Sequence, residues 1–324
     1  MKKTILVFFI ILFLPINVFA YSLNLIPGGE SIGIKINTDG LLVTGFYKVN
    51  DEYIGKRTFK VGDRIIKING IIVNNNTELA NVIDKNINND YVDVEFIRNN
   101  KVQNGKLYLG KDGDLYKTGL YIKDSIVGIG TLTYIDPVSK MYGALGHEIR
   151  TSETNSRVEI KDGDLLYSSV SSITKSRDGY VGSKNAIISY NNLLGTIDKN
   201  TNSGIFGKYT NSLPNKKTLS VASFDEIKIG DAYILTVVDD TNIKKYDIKI
   251  LDKYYKQKNT QKAFSFEVIS DTLLSKTGGV VQGMSGSPII QDNKIIGAVT
   301  NVLIDDVSLG YGISIITMLE ESEN

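Results

Sequence analysis

Gly279-Val280-Val281-Gln282-Gly283-Met284-Ser285-Gly286-Ser287-Pro288-Ile289-Ile290 is the stretch whose reading decides how this 324-residue chain folds. Ile289-Ile290 and Lys294-Ile295-Ile296-Gly297-Ala298-Val299 flank Asp292-Asn293, which predicts two strands joined by a tight turn. Ahead of that hairpin, the Gly-x-Ser-Gly-x-Pro core predicts a sharp loop. Gly283 permits a turn that aims its own N–H and that of Ser285 at one point, where an oxyanion could be held. Gly286 keeps a side chain away from Ser285, and Pro288 fixes the start of the following strand. Ser285 is therefore the candidate nucleophile, with Ser287, beyond the turn, the weaker one.

A serine needs a base, and the chain holds a single histidine. Any imidazole mechanism must use His147, and a two-histidine zinc site is excluded. With no cysteine, thiol nucleophiles, disulfides and cysteine metal sites are excluded as well. His147 lies in Tyr142-Gly143-Ala144-Leu145-Gly146-His147-Glu148, about 140 residues before Ser285. This order, with the glycine-flanked serine loop, resembles the trypsin-like serine peptidases, which implies a double β-barrel and His147 as general base. Asp271 stands between the two, as a trypsin-like order requires of a third member. Asp239, Asp240, Asp252 and Glu267 satisfy the same condition, and each also reads as a plain surface carboxylate. Glu148 adjoins the histidine, but neighbouring side chains of a strand face opposite ways, so it is poorly placed to orient the ring.

The chain as a whole reads as mainly β: 30 glycines, only 5 prolines and many Ile, Val and Tyr residues suit short strands with tight turns. Residues 25–109 resemble a PDZ domain. The resemblance rests on Val61-Gly62-Asp63-Arg64-Ile65-Ile66-Lys67-Ile68-Asn69-Gly70, a strand running into an Asn-Gly turn. A helix is expected after Asn76-Thr77, capped by Thr77, with a closing strand over Val92–Ile97. Upstream, Gly28, Gly29, Ile32, Gly33 and Ile34 lie in a glycine-rich turn and strand resembling the carboxylate-binding loop of that family. A peptide tail would add along the strand edge there; the other reading of these glycines is a turn alone. A boundary near Gly110–Gly113 leaves residues 114–324 for the peptidase-like domain.

Lys+Arg 37 against Asp+Glu 36 leaves a net charge of +1, which gives no field favouring nucleic acid. Residues 1–20 stand apart: Lys2-Lys3, an apolar run from Ile5 to Leu14, then Val18-Phe19-Ala20. This reads as a signal peptide ending at Ala20, or as an uncleaved anchor attaching the chain to a membrane through residues 4–20. Either reading places the rest outside the cytoplasm.

Taken together, several segments resemble the stage IV sporulation protein B peptidase family of spore-forming Firmicutes. They are Val127–Thr133, Tyr142–His147, Gly195-Thr196-Ile197 through Gly204–Gly207, Thr277–Ile290 and Gly310–Ile313. The resemblance implies an N-terminal membrane segment, a PDZ domain and a serine peptidase domain. It also implies self-cleavage and action between the mother-cell and forespore membranes. There the enzyme relieves inhibition of an intramembrane protease through a membrane-bound regulator, so that a late sigma factor is released. His147 is then the base and Ser285 the nucleophile, with no cofactor or metal. The pattern departs at two places. The family acid stands three positions before the paired leucines, where this chain has Ser270, with Asp271 one place on; and Asn301 replaces a frequent histidine. A catalytically impaired PDZ adaptor, a diverged paralogue and a general envelope protease are the other readings.

Overall fold

The computed structural model describes residues 22–86, 90–113 and 115–323. The signal-peptide or anchor reading of residues 1–20 lies outside them. The chain opens with β1 (Asn24–Pro27) and a 16-residue strand, β2 (Ser31–Phe46). It then makes β3 (Arg64–Ile68), helix α1 (Asn76–Asn86), β4 (Tyr91–Arg98) and β5 (Lys101–Tyr108). A second 16-residue strand, β6 (Leu120–Ile135), runs back antiparallel to β2 over nearly its whole length, from Ser31↔Thr131 to Phe46↔Leu120.

This ribbon serves two cores. Its near half, with Ile32, Ile34, Ile36 and Leu132, packs with Tyr142, Leu165 and Ile205. Its far half, with Leu41, Val43 and Leu120, packs with Ile65, Ile68, Leu79, Phe96 and Leu107, which form the PDZ core. A register break between Asn37 and Leu42 divides the halves. Within the span expected for the PDZ domain, 25–109, β2 is therefore shared: Ile32, Ile34 and Ile36 pack into the next barrel, and the PDZ core begins at Leu41.

Within the PDZ unit, Asn69 and Gly70 both take positive φ, as the Asn-Gly turn requires. The helix forms, but its start is held by Asn75 rather than Thr77. Asn75 Oδ1 accepts from the Glu78 N–H at 2.8 Å, and Asn75 Nδ2 donates back to Glu78 Oε1 at 2.8 Å. The Gly62-Asp63 signature acquires a physical reason. Asp63 is 1% exposed, accepts from the Lys60 N–H at 2.8 Å, and receives the Arg98 guanidinium, Nε to Oδ1 at 2.8 Å.

The first barrel comprises β2, β6, β7 (Met141–Ala144), β8 (Asp162–Thr174), β9 (Ser183–Thr196) and β10 (Gly204–Lys208). Its pairings run β9–β8–β2–β6–β7–β10, and a bridge between Gly195 and Tyr209 returns to β9. The second barrel comprises β11 (Gly230–Val237), β12 (Ile243–Lys253) and β13 (Phe264–Val268), followed by helix α2 (Asp271–Thr277). It continues through β14 (Pro288–Gln291), β15 (Lys294–Val302) and β16 (Leu309–Ser314), ahead of helix α3 (Ile315–Glu323). Its ring closes in the order β11–β12–β13–β16–β15–β14. The predicted hairpin is β14–β15, with Asp292 and Asn293 both at positive φ.

Candidate active site

The site lies where the two barrels meet. Ser285 sits on the loop from Val280 to Ser287, just before β14, and the loop is tied to both barrels. From β6, Thr131 Oγ1 donates to the Gly283 carbonyl at 2.7 Å, and Thr133 Oγ1 donates to the Gly286 carbonyl at 2.8 Å. The Thr131 N–H donates to the Ser285 carbonyl at 3.0 Å, and the Gly286 N–H reaches Val299 O of β15 at 2.7 Å. Gly286 has φ +91°, and a Cβ there would fall 2.1 Å from Thr131 O and 2.4 Å from Leu145 N. No side chain fits that approach, which is why the serine is followed by glycine.

Along the loop the N–H groups of Gln282, Met284, Gly286 and Ser287 all donate to carbonyls. Those of Gly283 and Ser285 have no hydrogen-bond partner among the described residues. The two unsatisfied donors are the pair that the sequence spacing assigned to an oxyanion.

His147 follows β7 through two residues in the left-handed region, Leu145 at φ 69° and Gly146 at φ 73°. The leucine, unusual in that region, is held by packing: its side chain lies over Gly130 of β6, where a Cβ would come within 2.1 Å of Leu145 Cδ2. His147 and Ser285 border one cleft of about 830 Å³, whose apolar wall includes Ile34, Ile126, Ile129 and Ile149. His147 Nδ1 lies 2.9 Å from the Glu148 carbonyl oxygen. A carbonyl only accepts, so Nδ1 carries the hydrogen and Nε2 keeps the lone pair a general base needs.

The Ser285 hydroxyl donates to the Thr300 carbonyl at 2.9 Å, and no hydrogen bond joins it to His147 among the described residues. The two residues whose carbonyls hold these groups are tied to one another by their side chains, through Gln261. Gln261 Nε2 donates to Glu148 Oε2 at 2.7 Å, and the Gln261 carbonyl accepts from Thr300 Oγ1 at 2.6 Å. The Glu148 carboxylate also binds Arg150, Nε to Oε1 at 2.8 Å. Burial works to raise the Glu148 carboxyl, but its backbone hydrogen bond and Arg150 hold it below the usual carboxylate range. As expected of neighbouring side chains, the Glu148 carboxylate turns elsewhere; what meets the imidazole is the glutamate's main chain.

The structure does not bring Asp271 to His147. Asp271 is exposed at the first position of α2, behind Ser270, whose Oγ accepts from the Leu273 N–H at 3.4 Å. A carboxylate there suits the positive end of a helix, and it does not border the cleft. Asp239, Asp240 and Asp252 are exposed too.

The peptide-loop reading of Gly28, Gly29, Ile32, Gly33 and Ile34 is corrected. Ile32–Ile34 pair with Gly128–Gly130 of β6 on one side and with Leu165–Tyr167 of β8 on the other, so no edge is left for an added strand. A Cβ on Gly28 would lie 2.1 Å from Leu132 O, and one on Gly29 would lie 3.0 Å from Leu235 Cβ. These glycines serve barrel packing. Sequence reasoning also missed Thr131 and Thr133, although both stand in a segment that carried the family resemblance, and Lys184, which no motif marks.

Two six-stranded barrels with a serine loop and a histidine at their junction define a serine peptidase, here combined with a PDZ domain. The chain belongs to the SpoIVB peptidase S55 family, whose pattern matches residues 114–319, and a PDZ domain pattern matches residues 32–109. No curated protein matches the chain. Among solved structures, the PDZ domain of the SdrC-like protein from Listeria monocytogenes is 20% identical, covers 28% of this chain and 93% of its own, with a TM-score of 0.23. The active form of the Rv3671c protease from M. tuberculosis is 14% identical, over 61% of this chain and 73% of its own, with a TM-score of 0.35. An HtrA-type protease, AlgW, with a decapeptide is 10% identical, over 90% and 61%, also at 0.35.

Proposed function

We propose that this peptidase is an exported signalling endopeptidase that cleaves itself and a membrane-bound regulator of an intramembrane protease, in the space between forespore and mother cell. The pathway, the location and the self-cleavage rest on the family resemblance. The chemistry rests on one observation: Gly283 and Ser285, whose N–H groups have no hydrogen-bond partner among the described residues, line the same cleft as His147.

In the proposed reaction, a rotation about the Ser285 side chain releases Oγ from Thr300 and turns it to His147 Nε2. Oγ attacks the peptide carbonyl carbon while Nε2 takes its proton. The carbonyl oxygen becomes an oxyanion held by the two N–H groups. The C–N bond breaks as Nε2 returns the proton to the amine, leaving an acyl-serine. Water, deprotonated by the same nitrogen, then hydrolyses the ester, and Ser285 recovers its hydrogen. The Glu148 carbonyl does the orienting that a triad carboxylate does elsewhere. The Ser285–Thr300 bond makes this a resting arrangement, in keeping with an enzyme that acts on few substrates at one time.

The test compares the purified chain with its Ser285→Ala variant by gel and mass spectrometry. Fragments present only in the parent establish the peptidase and show its cleavage preference. If both remain uncut, and a forespore-membrane protein fraction also stays intact with the parent, the catalytic reading gives way to the adaptor reading.

A further inference from the structure

Beneath the serine loop lies a lysine that the reaction above does not use. Lys184, second residue of β9, is 2% exposed. Its main chain is locked to the loop: the Lys184 N–H donates to Gln282 O at 2.9 Å, and the Gln282 N–H donates to Gly182 O at 2.8 Å. Its side chain passes under Gly283, where a Cβ would meet Lys184 Cδ at 3.1 Å. Its Nζ then reaches two hydroxyls, Thr131 Oγ1 at 3.2 Å and Thr236 Oγ1 at 2.9 Å. Thr131 Oγ1 holds the Gly283 carbonyl, and Thr236 Oγ1 accepts from Ser287 Oγ at 3.0 Å. One amine thus braces both ends of the segment 283–287.

We propose that Lys184 is a positioning residue of the nucleophile loop, which it holds as an uncharged amine through Thr131 and Thr236, so that protonating it slackens the oxyanion donors. This rests on the peptidase reading. The count of donors supports the uncharged form. Thr131 gives its hydrogen to a carbonyl, so Nζ donates to it; Thr236 offers the second hydroxyl. Two N–H groups of an amine are thereby matched, whereas the third hydrogen of an ammonium has no partner among the described residues. No carboxylate faces Nζ. Lys123 of β6 is turned to Glu153, Asp231 of β11 is exposed, and His147 lies on the cleft side of the loop. Burial alone lowers Lys184 to about 7. Holding the Gly283 carbonyl fixes the peptide plane between Gly283 and Met284, and with it the path on which the Gly283 and Ser285 N–H groups converge.

The experiment measures labelling of Ser285 in the full-length chain by a fluorophosphonate probe, whose phosphoryl oxygen needs the same two donors. Rates are taken against probe concentration from pH 5.5 to 9 for the parent, Lys184→Met and Thr236→Val, with Ser285→Ala as the blank. The expected result for Lys184→Met is a maximal labelling rate lower by about 10- to 100-fold, with the half-saturating probe concentration changed less than about 3-fold. The acid side of the profile also becomes shallower, by the one proton that Lys184 takes up in the parent. Thr236→Val, which removes one of the two braces, should lower the rate in the same direction by about 5-fold or more; it carries the test if Lys184→Met does not fold. A merely structural lysine would change melting temperature and leave the rate and the steepness of the profile alone. A folded Lys184→Met or Thr236→Val chain that labels like the parent overturns the inference while the peptidase reading stands. A parent that does not label above the Ser285→Ala blank overturns both.

Discussion

Replacing Lys184 by methionine should alter how stability depends on pH, and the size of the change follows from the site. Lysine ordinarily titrates at 10.5; in the fold, burial brings Lys184 down to about 7. Below pH 7 the amine is protonated in both folded and unfolded chains, and the folded state carries the full burden of a buried charge. Between 7 and 10.5 the unfolded chain holds a proton that the folded chain lacks. Stability therefore rises with pH, by up to about 1.4 kcal/mol per unit. Above 10.5 both states are neutral and the dependence ends. Across the whole window the effect approaches roughly 5 kcal/mol, and from pH 7 to 9 it is about 2 kcal/mol. The residue is almost fully buried, so solvent screening removes little of this. Methionine fills the same channel without a charge, so the variant should lack this rise and gain relative to the parent as pH falls. The assay is urea denaturation at pH 7, 8 and 9 of both chains in a Ser285→Ala background, where self-cleavage cannot distort the baselines. Parallel curves for parent and variant over that range would refute the reasoning, because they would mean that Lys184 titrates alike in both states.

Three other outcomes are expected. Gly286→Ala forces a methyl to 2.1 Å from Thr131 O at φ +91°; stability should fall by at least about 3 kcal/mol, read by denaturation, and probe labelling of Ser285 should be lost. His147→Gln should abolish labelling, whereas Asp271→Asn should change its rate by less than about 3-fold, since Asp271 is exposed at the start of α2; a large loss would restore it to the site. Arg98→Met leaves the buried Asp63 carboxylate without its cation and should cost about 3–5 kcal/mol locally, seen as faster hydrogen exchange over residues 41–109 with the β11–β16 barrel unchanged.

What the sequence by itself determined is what the local backbone dictates. Gly283 and Gly286 adopt the positive φ of a sharp turn into the strand that Pro288 opens, and Asp292-Asn293 and Asn69-Gly70 adopt the positive φ their turns demand. A single histidine leaves no choice of imidazole. Tertiary structure decided everything set by pairing across long separations. Ser31–Ile34 reads equally as a free PDZ edge or a barrel strand, and only the arrival of β6 and β8, where Gly128 pairs with Ile34 and Tyr167 with Ile32, closes both edges. The partner of His147 is a main-chain carbonyl, which every residue possesses and no motif can advertise. Lys184 looks like any surface lysine until Thr131 and Thr236, 53 and 52 positions away, fold over it. Backbone angles are properties of neighbours in sequence; burial and hydrogen-bond partners are properties of neighbours in space.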